Sequence, residues 1–347
     1  MPSSSSSSSP ILIAGVPRSG TTWVGRILAS APDVDYRFEP DNEEICPYAL
    51  LLKQRLHRFP YLRRGDDVPD FVELWNAAFK GRIPHRKLEQ RVRELGRLAP
   101  DVLDTNVTFR SITSDLAHTP PPAFPAVGRA RVAAAAALAK YLLYRPAASD
   151  RRRIVKTVHS VLALNWLRER FSPRVVLIVR HPFNVVSSYL NMRMKDGDRC
   201  IFSQAAYVGD AFADRSMAER ASAESDAVAR MGYQLAAMTA MIRRYAAADP
   251  HALVVSHDLL CLDAAGEFER LFRQLGLPWT AASVRMLDEL NEPGVRYQPR
   301  RVRANEVDKW KQTLTDAQVR TIATCFEQFS VPLDWTSRER LDAALGT

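Results

Sequence analysis

The segment Gly15-Val16-Pro17-Arg18-Ser19-Gly20-Thr21-Thr22 constrains this chain more than any other. An apolar run, 11–14, leads into it and a helical pattern, 22–29, leaves it. Strand, glycine turn and helix start make a cradle of converging backbone N–H groups that suits an anion. The spacing is that of a phosphate-binding G-x-x-x-x-G-K-[ST] loop, with Thr21 standing where the lysine belongs. The cation of the loop, Arg18, comes before the second glycine. A loop that keeps the cradle but lacks the lysine that ATP- and GTP-using enzymes set on the β/γ-phosphates points to a different anhydride.

Strand–helix alternation recurs along the chain. Strands are predicted at 34–38, 153–158, 174–179 and 253–255, and helices at 161–170, from Pro182 through 183–192, and at 267–275 closed by Gly276. The uninterrupted β-branched run 174–179 suits a strand buried on both faces. Repeated βα units imply an α/β fold, a P-loop-type parallel, doubly wound sheet flanked by helices in three α/β/α layers. Ligands on such sheets gather at the carboxyl ends of the strands. Between the units, Leu88, Val92 and Leu95 mark an amphipathic helix, 119–125 is a proline-rich loop, and 132–143 is an alanine-rich packed helix. One long helix is predicted over 216–245, with Met231, Leu235, Met238 and Ile242 on its inner side. The stretch 191–214 reads as a mobile loop near the site. The domain reading is a disordered Ser-rich tail at 1–9, a single domain over 10–335 with helical insertions at about 41–150 and 191–250, and a C-terminal tail at 336–347.

Composition narrows the class without naming a ligand. The 347 residues carry a net charge of +9, which either a general Arg preference or an anionic ligand explains equally well. No nucleic-acid partner is expected. Cys46, Cys200, Cys261 and Cys325 are far apart and form no C-x-x-C pair, so neither a zinc site nor a redox pair is signalled. A reduced, cytoplasmic setting fits, with no membrane span, since 132–143 is short and interrupted by Lys140. A homodimer is compatible with the sequence, which carries no signal for it.

A second anion site is suggested where the buried strand ends. Arg180 emerges at the functional edge and Ser188 lies eight residues on, in the following helix. Together they can grip a phosphate from two sides. With both motifs in hand, the chain resembles the sulfotransferases that use 3′-phosphoadenosine-5′-phosphosulfate (PAPS). Their 5′-phosphosulfate loop, P-[KR]-S-G-T-T-W, is matched by Pro17, Arg18, Ser19, Gly20, Thr21, Thr22 and Trp23. Their 3′-phosphate signature is matched by Arg180 and Ser188. The segment 268–279, FERLFRQLGLPW, is similar to the helix and Leu-Gly-Leu-Pro turn that follow the family's last strand. Arg301, Arg303 and Trp310 are similar to its C-terminal basic loop and Trp, which also reaches the 3′-phosphate.

The resemblance implies sulfuryl transfer from PAPS to a hydroxyl of a small molecule, sugar or glycolipid, releasing 3′,5′-diphosphoadenosine (PAP). Such in-line displacement depends on positioning and charge stabilisation. The transferred group carries less charge than a phosphoryl group, so no metal is required, and the strand that would supply a Walker-B Asp ends in Arg180 instead. Arg18 and the N–H groups of Ser19 to Thr22 are expected on the 5′-phosphate and bridging oxygen. By resemblance Trp23 stacks on adenine; the packing alternative is a core Trp. The acceptor proton needs a base. Glu39, before Pro40, is similar to the Glu-Pro base of carbohydrate-type and many bacterial members. His159, in VKTVHS, is similar to the Lys-Thr-His base of small-molecule members, with Val158 inserted. Glu39 is the preferred candidate, provided that burial raises its pKa. Lys156 is a second cation on the transferred group or a partner for a nearby acid. His257 and Asp258 are expected to anchor a turn, 151–153 to be a solvated strand entry, and Asp41, Glu43 and Glu44, near the acceptor pocket, to form a surface acidic cluster, the alternative being contact with the acceptor. The rival readings are a P-loop kinase or phosphotransferase using ATP and magnesium, and a non-catalytic nucleotide-binding module.

Overall fold

The computed structural model describes residues 9–43, 46–53, 56–82, 151–192, 201–212, 215–293 and 302–345. The expected elements within 83–150, the tail at 1–8, residues 193–200 of the expected loop, and Glu44, Cys200 and Arg301 lie outside the described residues. Five strands, β1 (Ile11–Gly15), β2 (Val34–Phe38), β3 (Arg152–Thr157), β4 (Arg174–Val179) and β5 (Leu253–Ser256), form one sheet in the order β2-β3-β1-β4-β5. Every pairing is parallel, so all five carboxyl ends meet at one edge.

In chain order the described helices are α1 (Thr21–Leu28), α2 (Pro47–Lys53), α3 (Pro69–Phe79), α4 (Leu164–Phe171), α5 (Pro182–Asn191), α6 (Ala205–Ala211), α7 (Ser216–Ala223), α8 (Ala227–Ala248), α9 (His257–Leu262), α10 (Ala264–Leu275), α11 (Ala281–Glu289), α12 (Asp316–Gln328) and α13 (Arg338–Leu345). Side chains of β1 and β4 alternate between two cores, as a period of two requires. Leu12, Ala14, Val175, Leu177 and Val179 join α3, α4, α5, α8 and α12 on one face. Ile11, Ile13, Val176 and Ile178 join α1, α10 and α11 on the other. The expected parallel sheet and three-layer fold are therefore observed. No helix of the described residues is long and apolar enough to cross a membrane.

The long helix expected over 216–245 is two helices. Glu224 leaves helical backbone (ψ 132°), and its Oε1 accepts from the N–H groups of Ser225 and Asp226 at 2.7 and 2.8 Å. Asp226 then caps α8 by accepting from Ala229 N at 2.8 Å. Local carboxylates thus compete with the continuing helical ladder and win. The stretch expected as a C-terminal tail contains α13, held by Arg338 on Glu267 at 2.7 Å and by the buried Leu341. The strand entry at 151–153 is not solvated throughout. Arg153 is buried against Asp35 at 2.9 Å, and Arg152 donates to Leu275 O at 2.6 Å.

Candidate active site

The loop after β1 is built by backbone constraint. Ser19 N–H donates to Val16 O at 3.1 Å, closing the turn on itself. Arg18 and Gly20 both take left-handed backbone, with φ of 69° and 95°. A side chain at Gly20 would collide with the His257 ring, so glycine is needed for both conformation and space. The first turn of α1 has no side-chain cap, and its orphan N–H groups open onto the loop. Ser19 N–H is already engaged, which narrows the expected donor set to the groups after it. Ser19 Oγ is buried without a hydrogen-bond partner among the described residues.

β4 and α5 seize this loop from the side. Tyr189 Oη donates to Pro17 O at 3.0 Å. Arg180 Nη1 donates to Arg18 O at 3.1 Å, and Arg18 Nε donates to Ser188 Oγ at 3.0 Å. The glycine loop and the strand-end arginine, expected as two anion sites, are thus one connected cluster. Arg180 Nη2 also donates to Glu306 Oε2 at 2.9 Å, while its buried Nε has no partner among the described residues. Glu306 in turn accepts from Lys309 at 2.8 Å. The C-terminal segment is pinned beside β4 by Trp310, whose N–H donates to Asn184 Oδ1 at 3.1 Å and whose ring stacks on His181. Arg303 does not join the cluster: its Nη1 donates to Leu287 O at 3.3 Å. Trp23 is buried, edge-on to His257 and Phe268.

Titratable groups collect on the other side of β1, after β2 and β3. Glu39 adopts a left-handed backbone (φ 40°) and is buried. Its Oε1 pairs with Lys156 Nζ, and its Oε2 accepts from Asn42 Nδ2 at 2.5 Å. Burial pushes its pKa up, but the charges of Lys156 and His159 and the bonds from Lys156 and Asn42 outweigh it and hold it below the ordinary value. The condition that burial raise the Glu39 pKa is therefore not met, and Lys156 takes the second of its two expected places, as the partner of a nearby acid. His159 is buried edge-on to Phe59, with Nδ1 3.1 Å from Glu43 Oε2. Burial raises the Glu43 carboxyl, but His159 beside it, with Arg58 and Lys53, brings it down to about 2.

Asp41 is not at the surface. It is fully buried, and Oδ2 accepts from Thr157 Oγ1 at 2.6 Å and Ser160 Oγ at 2.5 Å. Thr157 Oγ1 in turn accepts from the N–H groups of His159 and Ser160 at 3.0 and 3.1 Å. The loop bearing Glu39 and the loop bearing His159 are thereby knitted together. His257 and Asp258 also prove to be more than a turn anchor. They open α9, which Ser256 caps, and Asp258 Oδ2 accepts from His181 N at 2.8 Å, fixing the residue after Arg180. Burial, then Arg180, keeps His257 far below its ordinary pKa, and burial raises Asp258. No sequence spacing signals Asp41 or Glu306. Asp41 does follow a strand end by three residues, the position at which a parallel sheet delivers chemistry.

A model of the sulfotransferase family matches residues 10–281. A comparison with curated proteins gives no match. Among solved structures the chain is similar to the sulfotransferase domain from the Synechococcus PCC 7002 olefin synthase, with 17% identity, 94% of this chain and 97% of that one covered, and a TM-score of 0.41. It is also similar to the sulfotransferase domain from the curacin biosynthetic pathway, with 13% identity, coverage of 94% and 99%, and a TM-score of 0.43. Mouse sulfotransferase SULT7A1 complexed with PAP is similar at 11% identity, with coverage of 98% and 89% and a TM-score of 0.41. The family match takes in well over half of the chain, spanning both the loop after β1 and the arginine after β4, and the chain belongs to the sulfotransferase family.

Proposed function

We propose that this chain transfers a sulfuryl group from PAPS to a hydroxyl of a small-molecule, sugar or glycolipid acceptor. The observation that carries this reading is the junction of Arg18, Ser188 and Arg180, which joins the anion cradle to a strand-end cation in one cluster. The residues present fit a doubly phosphorylated adenosine. Ser19 Oγ and Arg180 Nε are buried polar atoms whose hydrogen-bonding capacity is unspent among the described residues. The α1 N–H groups from Gly20 to Thr22 and Ser19 Oγ would hold the 5′-phosphate, Arg18 would neutralise charge at the bridging oxygen, and Arg180 with Ser188 would hold the 3′-phosphate. Bound PAPS supplies an activated sulfuryl group to the acceptor oxygen.

The acceptor's proton goes to His159 in this reading, which moves the preference away from Glu39. Both Glu39 oxygens are engaged and its pKa is lowered, which makes it a poor proton acceptor. Glu39 instead pairs with Lys156. The three described cysteines are free thiols, in keeping with a reducing, cytoplasmic setting.

Calorimetric titration with PAP, followed by PAPS-dependent transfer to a panel of hydroxyl acceptors, tests the reading. Binding of PAP together with sulfated product supports it. Binding of ATP with magnesium, phosphoryl transfer and no use of PAPS would reject it. For the base, His159→Ala should lower transfer by about 100-fold or more with PAP affinity intact. A Glu39→Gln variant that loses transfer while His159→Ala keeps it would return the role to Glu39.

A further inference from the structure

We infer that Glu43 is a positioning residue for His159, holding the imidazole with Nδ1 toward its carboxylate so that Nε2 is left to receive the acceptor's proton. The inference rests on the proposed role of His159 and adds a residue that the family resemblance did not supply. It stands on geometry. Glu43 Oε2 is 3.1 Å from His159 Nδ1, and the two side chains are 17% and 3% exposed. Phe59 closes one side of the ring, at 5.4 Å between centroids and nearly perpendicular. The backbone on either side of the ring is also fixed, because His159 N and Ser160 N both donate to Thr157 Oγ1, itself tied to Asp41. The ring is held at its backbone and its face, and the Glu43 carboxylate approaches Nδ1 at 3.1 Å as a counter-charge rather than as an aligned hydrogen bond; that charge favours the tautomer with hydrogen on Nδ1.

The charged groups around the pair agree with this. From the loop after β2 come Glu43 and Glu39, whose carboxyl senses the His159 charge. From α2 and the segment after it come Lys53 and Arg58, both acting on Glu43, with Arg58 Nε 3.3 Å from Glu43 Oε1. From β3 comes Lys156, whose charge is spent on Glu39. Arg58 and His159 hold Glu43 as a carboxylate, so it faces Nδ1 as a counter-charge and does not compete for the proton. As the acceptor O–H bond breaks, its proton moves to Nε2. The acceptor oxygen forms a bond to sulfur while the bond from sulfur to the bridging oxygen breaks, and that electron pair leaves with PAP. The resulting imidazolium faces an ionised carboxylate.

The test uses the full chain and variants Glu43→Gln and Glu43→Asp. Without ligand, imidazole ¹⁵N spectra should show hydrogen on Nδ1 of His159 in the native chain and in Glu43→Asp, and a mixed or reversed tautomer in Glu43→Gln. In turnover, Glu43→Gln should lower kcat about 10- to 100-fold with PAP affinity unchanged. It should also move the acid limb of kcat/KM about one unit or more to lower pH, because the imidazolium loses its counter-charge. Glu43→Asp should restore most of both. An unchanged tautomer and acid limb in Glu43→Gln, with His159→Ala inactive, overturns the role of Glu43 and leaves His159 as the base. Near-normal transfer by His159→Ala rejects the base assignment itself. Should Glu43→Gln fail to fold, the native ring decides alone: hydrogen on Nε2 overturns the inference.

Discussion

Arg18 Nε donates to Ser188 Oγ at 3.0 Å across 170 positions of sequence. The link ties the left-handed turn of the glycine loop to the last turn of α5, and so to the strand whose end carries Arg180. It fixes the Arg18 guanidinium beside α5 rather than leaving it to sweep through solvent.

Ser188→Ala removes that tether and leaves the backbone untouched. A hydrogen bond to a charged group is worth roughly 1.5–3 kcal/mol. The expected outcome is a fall of about 10-fold or more in kcat/KM for the donor, with little change in melting temperature. Steady-state kinetics with PAPS varied checks it, and an unchanged value would show that Arg18 keeps its place without Ser188.

Arg180 is expected to discriminate between nucleotides. Arg180→Ala should weaken PAP by about 100-fold or more and adenosine 5′-monophosphate by much less, since a lost partner of a buried charge costs several kcal/mol. Glu306, 7% exposed at its side chain, would be left facing one fewer cation. Arg180→Ala combined with Glu306→Gln therefore separates lost ligand contact from fold damage. Calorimetry of both nucleotides decides, and equal losses would put the 3′-phosphate elsewhere.

Gly20 bears on stability as much as on the site. Alanine there meets a φ of 95° and the His257 ring at once. Left-handed backbone costs about 1–2 kcal/mol and overpacking about 1–3 kcal/mol, so Gly20→Ala should lose about 2–5 kcal/mol in urea unfolding. A loss under about 1 kcal/mol would mean that α9 yields.

Acid should destabilise the fold in two steps of the same sign. His181, pushed down from 6.5 to about 4 by burial and then by Arg180 against the pull of Asp308, stays neutral in the fold. The unfolded chain therefore binds more protons between those values, and stability falls as pH drops through them. Glu43 is held at about 2 against 4.5 unfolded, so its contribution is complete above 4.5 and is lost as pH falls toward 2. At about 1.4 kcal/mol per unit this amounts to about 3 kcal/mol. Urea midpoints between pH 3 and 7 check the slope, and Glu43→Gln should flatten its lower part.

What the sequence disclosed is local or periodic. The run into Gly15, the turn residues and the start of α1 lie within a few residues of one another, and β4 announces itself by a stretch of apolar side chains buried on both faces. Arg180 was legible because a strand end is a predictable place. The burial of Asp41 was not, since its partners Thr157 and Ser160 are 116 and 119 positions away. The sign of the Glu39 shift depended on Lys156, 117 positions away, for the same reason. The break between α7 and α8 was missed because apolar periodicity runs through it, whereas Glu224 and Asp226 act through backbone hydrogen bonds that periodicity does not register.

The placing of β1 between β3 and β4 has a consequence for how such a molecule diversifies. Groups that grip the nucleotide in the proposed reading descend from β1, β4 and the helix after β4, whereas those that manage the hydroxyl descend from β2 and β3. In that reading each half of the reaction has its own half of the sheet, with the central strand as their shared border. On the proposed reading, redrafting the outer loops on the β2 flank would retune which alcohol is accepted without disturbing the grip on the nucleotide across the border.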